Sequence, residues 1–140
     1  MKLRAVLISA ALAVLASLSA VVPAQADGLT RFHITFRTGD LPNADTEDAV
    51  RLTIFGTEGK TPPMQFDRDF RRNENYTPAP QIHPSIGTVG YISLGKSGRE
   101  NDAWYAEYVN IHDEATGRVY HCPVHEWFPQ GSLTRFYSCS

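Results

Sequence analysis

Ala44-Asp45-Thr46-Glu47-Asp48-Ala49-Val50-Arg51-Leu52-Thr53-Ile54-Phe55-Gly56 passes from acidic, turn-forming residues into a strict two-residue alternation. Val50, Leu52 and Ile54 fall on one face and Arg51 and Thr53 on the other, the pattern of a strand buried on one side. Gly56 and the turn residues Thr57-Glu58-Gly59-Lys60 stop it. The segment upstream reads the same way: Phe32, Ile34 and Phe36 share a face in Phe32-His33-Ile34-Thr35-Phe36-Arg37, and Thr38-Gly39-Asp40-Leu41-Pro42-Asn43 turns the chain.

Downstream the pattern continues. Ile86 to Leu94 reads as a strand, Gly95 to Asp102 as a polar loop, and Trp104 to His112 as a strand in which Trp104, Ala106 and Tyr108, then Val109 and Ile111 past a bulge, compete for the inner face. Asp113 to Gly117 forms a hairpin turn. Val119 to Cys122, Val124 to Phe128 and Leu133 to Tyr137 are the last strands. Between Thr61 and Pro84, Pro62, Pro63, Pro78, Pro80 and Pro84 interrupt any ladder, so that stretch reads as extended loop with edge strands around Met64 to Phe66. No segment carries a sustained helical period with caps. The expectation is all-β: an antiparallel sandwich of about eight short strands.

The N-terminus is of a different kind. Lys2 and Arg4 precede the apolar run Val6 to Val22, and Ala24-Gln25-Ala26 places small residues where a signal peptidase reads, so residues 1–26 are expected to be a signal peptide cleaved near Ala26. A retained anchor is the alternative, since the run is close to the minimum that spans a bilayer. Cleavage would leave residues 27–140 as one secreted domain, 140 less 26 or 114 residues, room for one core. Of 13 basic residues, Lys2 and Arg4 would be lost, leaving 11 against 15 acidic ones. A net acidic domain argues against nucleic acid as a partner.

Cys122 and Cys139 both fall in the exported part, where a disulfide between them would tie the C-terminal segment to the body; two separate thiols are the alternative. Catalytic signals fail on their own terms. There is no G-x-S-x-G elbow. His121 and His125 have a spacing that suits zinc on a helix, not on a strand interrupted by Pro123. Asp67 and Asp69 lie beside Arg68 and Arg71, which reads as surface ion pairs and not as a glycosidase dyad. The chain is read as a non-enzyme.

The order of features resembles the PLAT, or lipoxygenase-homology, domain. Ala44-Asp45-Thr46-Glu47-Asp48-Ala49-Val50-Arg51-Leu52-Thr53-Ile54-Phe55-Gly56 is similar to the family's A-G-T-D-x-x-V-x-[IL]-x-[IL]-x-G. Phe70-Arg71-Arg72-Asn73 and Ile86-Gly87-Thr88-Val89 with Leu94-Gly95 resemble its F-x-R-G turn and L-G-x-[IV] strand. Trp104 to Ile111 resembles its W-x-x-x-x-V-x-[VI] strand, and Cys122-Pro123-Val124-His125-Glu126-Trp127-Phe128 its closing F-P-C-x-x-W-[LF]. Asp45 replaces the family's first-loop glycine and Val124 its closing cysteine, while Cys122 stands where an apolar residue is usual.

The resemblance implies a monomeric binding module whose ligand is a membrane lipid surface or a partner protein; a purely protein-binding role is the first alternative, and a small hydrolase, from another class, the second. Calcium-binding members take oxygen ligands from the first loop, which implies Asp45, Glu47 and Asp48 as ligands here. The expected second-loop acid falls near Lys96, whose ammonium would oppose a divalent ion, so a plain solvated loop is the other reading. The resemblance also implies that Trp104 and Trp127 are core. Contact residues are then sought on loops: Leu41 and Pro42 at one tip, Tyr76 in the proline-rich segment, and Phe128 at the closing turn.

Overall fold

The computed structural model describes residues 28–100 and 102–140. The expected signal peptide, residues 1–26, lies outside the described residues. The strands are β1 (Leu29–Thr38), β2 (Val50–Gly56), β3 (Gly59–Lys60), β4 (Met64–Phe66), β5 (Asn75–Tyr76), β6 (Gln81–Pro84), β7 (Val89–Lys96), β8 (Trp104–Asp113), β9 (Arg118–Phe128) and β10 (Leu133–Ser138). They form two antiparallel sheets. In one, β1, β8 and β9 lie side by side, with β5 and β6 sharing the free edge of β1. In the other the order is β10-β7-β2, with β3 and β4 on the far edge of β2.

The alternations read from the sequence supply the two inner faces. Phe32, Ile34 and Phe36 of β1 meet Val50, Leu52 and Ile54 of β2, with Ile92 and Leu94 of β7 and Val109 and Ile111 of β8, all essentially removed from water. Each such side chain contributes about 1.5–3 kcal/mol through its burial. Trp104 is fully buried as expected, its indole Nε1 donating to Thr38 Oγ1 at 3.0 Å, so its one polar atom is paired inside the core.

Several local expectations need correction. Val119–Cys122 and Val124–Phe128 are one strand, β9, because it is the outer strand of its sheet and tolerates Pro123 there. Ile86 to Thr88 is not strand; Gly87, at φ +76°, turns the chain into β7. The bulge lies between the Ala106–Glu126 and Tyr108–Pro123 pairs, where Val124 and His125 oppose the single Glu107 and His125 takes φ +49°. It moves the inner face of β8 from Trp104 and Ala106 to Val109 and Ile111 and leaves Tyr108 half-buried. Finally, Cys122 and Cys139 form the expected disulfide, beside a pair of backbone hydrogen bonds between His121 and Ser140.

Candidate functional site

Antiparallel order brings the β1–β2, β4–β5, β7–β8 and β9–β10 loops to one end of the sandwich. They hold one another. Thr38 N and Asn73 N bond to Glu74 O and Gly39 O, Thr46 and Phe70 exchange both backbone bonds, and Ser97 N donates to Ala49 O. Asp102 closes the first loop onto the third: one carboxylate oxygen accepts from the Thr46 hydroxyl and the other from Glu47 N at 2.9 Å.

At the centre of this end is a buried ion pair. Lys96 continues the inward series Ile92, Leu94 by one more step, and Asp48 extends Val50, Leu52, Ile54 by one step backwards. Because Val50 is the cross-strand partner of Lys96, the two charges meet diagonally. Lys96 Nζ lies 2.8 Å from Asp48 Oδ2 with both side chains wholly excluded from solvent. Lys96 Nζ also donates to Gly131 O at 2.9 Å, while Asp48 Oδ1 accepts from Ser97 Oγ at 3.0 Å and from Glu100 N at 2.6 Å. Burial pushes the Asp48 carboxyl up, but the bonds from Lys96, Glu100 N and Ser97, with the Lys96 charge, outweigh it and bring the group down to about 2.

Trp127 and Phe128 exchange the places expected of them. Phe128 is fully buried beneath Trp104, at a ring separation of 5.5 Å, and offers no contact surface. Trp127 is one residue off the inward series Cys122, Val124, Phe128; it stands 40% exposed on the outer face, edge-on to Tyr105 at 5.3 Å. Tyr105 lies over Gly39, where an added Cβ would come within 2.4 Å of the ring. Leu41, 38% exposed, and exposed Pro42 project from the loop that Gly39 opens, so the expected tip and Trp127 share one end of the molecule. Tyr76 is no loop contact: it is half-buried against Phe36 and Phe70 with the Arg68 guanidinium 3.9 Å above its ring.

With this geometry in hand, residues 31–136 match the PLAT/LH2 domain. The chain belongs to the PLAT/LH2 domain family. It is 31% identical over 107 residues to the rat arachidonate 12-lipoxygenase, 12R-type, a match covering 71% of this chain and 15% of that enzyme. Among solved structures, a lipoxygenase variant superposes with a TM-score of 0.71 at 20% identity, covering 80% of this chain and 16% of the other. The coral 8R-lipoxygenase, in which calcium activation runs via a C2-like domain, superposes with a TM-score of 0.61 at 23% identity over 77% of this chain and 17% of its own. The chain spans less than a fifth of the length of these relatives. What it corresponds to in them is the non-catalytic PLAT domain and not the catalytic core.

The donors in this PLAT domain do not fit the calcium set expected of it. Asp45 and Glu47 are exposed, Asp48 is buried against Lys96, and among the described residues no three His, Cys, Asp or Glu side chains are placed to hold a metal ion. A cleft of about 470 Å³ opens beside the pair, its lining made of Arg51, Arg68 and Arg99 together with Glu47, Asp67, Asp69 and Glu100. Its mixed charge selects no simple ion. Further along the outer face of the second sheet, on the side of β2 that carries Arg51, Phe55 and Tyr91 stack at 4.5 Å, with Phe136 66% exposed at 6.2 Å from each. Sequence reading missed this cluster because Phe55, Tyr91 and Phe136 are far apart in the chain and each sits on the polar side of its own alternation.

Proposed function

We propose that this PLAT domain is an exported, non-catalytic module that attaches to a lipid surface through its loop end, with Trp127 as the interfacial anchor and Leu41 and Pro42 entering beside it. The observation that carries the reading is the exposure of Trp127, on the same end as an apolar loop tip. An indole is suited to the headgroup boundary, where its ring leaves water and its N–H keeps a polar partner. The acidic balance of the domain disfavours anionic lipid, so a zwitterionic surface is the expected target. Export is supported by the disulfide, which persists in oxidising compartments.

The test uses protein collected from the medium of a secreting host, whose N-terminal sequence should start at Asp27. It is sedimented with phosphatidylcholine vesicles, and Trp127→Ala should weaken partition about 5–30-fold, equivalent to about 1–2 kcal/mol. Phe136→Ala, on the other flank, should leave partition unchanged. A native protein that stays in the supernatant ends the lipid reading. The cluster of exposed Tyr91 and Phe136 with half-buried Phe55 favours a second reading, a protein partner docked on that sheet face. Loss of partner capture in Phe136→Ala with vesicle binding absent would select it.

A further inference from the structure

Lys96 sits in a socket made for a cation. Its ammonium is held by a carboxylate oxygen of Asp48 and the backbone carbonyl of Gly131, oxygen donors of the kind a hard metal ion takes. These donors come from two loops, β1–β2 and β9–β10, and Asp48 in turn gathers Ser97 and Glu100 of a third, β7–β8. The close approach of the second and third is built in. Gly98 adopts φ +69° with its Cβ position 2.3 Å from the backbone of Gly131 and Ser132, so only glycine lets the β7–β8 loop lie there and keeps Gly131 O within reach of Lys96. A charge so placed must be neutralised in place, because neither partner meets water.

We propose that the Lys96 ammonium is the resident cation of this PLAT domain, pinning three loops through Asp48 and Gly131 so that the loop end is ordered without any divalent ion. A calcium ion cannot use Asp48 while Lys96 holds it, since the positive charges would meet within one coordination distance. The loop end is therefore set in its binding shape at all calcium concentrations. The inference rests on the pair alone and stands whether or not the ligand is a lipid.

The experiment is thermal melting of the secreted protein in EGTA and in millimolar calcium, with amide hydrogen exchange at Glu100 N, the donor to Asp48, under both conditions. The native protein should melt at the same temperature and protect Glu100 N equally in both. An ion bound at 100 times its dissociation constant would raise the midpoint by roughly 10 °C or more, so a saturable rise of that kind in the native protein overturns the proposal. Lys96→Met, which keeps the length of the side chain and removes its charge, should lower the midpoint in EGTA by at least about 10 °C. A Lys96→Met protein as stable as the native one would overturn the pinning role. If that variant does not accumulate, the exchange at Glu100 N decides: protection that appears only with calcium refutes the proposal, and equal protection supports it.

Discussion

Asp48 carries more of this molecule's behaviour than its position in an acidic loop suggests. Its carboxyl falls from an ordinary value of 3.8 to about 2 on folding. A depressed acid contributes stability that is complete above its unfolded value and is lost as pH falls through the folded one. We expect about 2 kcal/mol to disappear between about pH 4 and pH 2, read from urea unfolding across that range. Asp48→Asn should flatten this acid limb and cost about 3–5 kcal/mol at neutral pH, because it leaves the Lys96 ammonium buried and unpaired. How much of this the sequence discloses differs between the partners. Lys96 is read from the sequence as part of the polar loop Gly95 to Asp102, yet it is the last inward position of β7 after Ile92 and Leu94, because the pairing with Val50 carries the strand two residues further. The choice of Asp48 over Asp45 or Glu47 depends on the Val50–Lys96 register, a relation between distant strands that no local pattern encodes.

Among the elements, those with a clear alternation were legible: β1 and β2 stand where their unbroken periods place them, β8 where its two half-periods on either side of the bulge do, and the sandwich follows from burying their apolar faces. The elements that were not legible owe their form to neighbours. β5 and β6 exist because the free edge of β1 pairs with whatever passes, even a proline-rich segment, and two to four residues carry no period of their own. The bulge at His125 answers to spacing against β8, and the places of Trp127 and Phe128 follow from counting inward positions from Cys122 instead of from a family template. β10 is held at its end by the Cys122–Cys139 disulfide, which closes a loop of 17 residues. Replacing both cysteines by serine should cost about 3 kcal/mol in the chain-entropy account, measured as a lower urea midpoint with an unchanged slope. An unchanged midpoint would mean that the His121–Ser140 backbone pair and the Phe128–Tyr137 contact, at 6.3 Å, hold the strand unaided.

For the molecule as a whole, chemistry is divided by position: charge is concentrated within and around the loop end, while exposed aromatics lie at its rim and on the far sheet face. This division separates the two tryptophans. Trp104 is sealed in the core and Trp127 meets solvent, so acrylamide should quench only part of the native emission, and Trp127→Ala should leave a blue-shifted remainder that resists quenching until the protein unfolds. Full quenching of that remainder in the folded variant would contradict the packing around Trp104. Among the described residues, Lys60 and Lys96 are divided in the same way. Lys60 is exposed near Phe55, away from the loops, and Lys96 is shut inside them. With the α-amine blocked, an amine-reactive surface would therefore capture the exported, folded domain by the Lys60 side chain and present its loop end outward, and slow derivatisation of Lys96 would time each excursion in which that end comes apart.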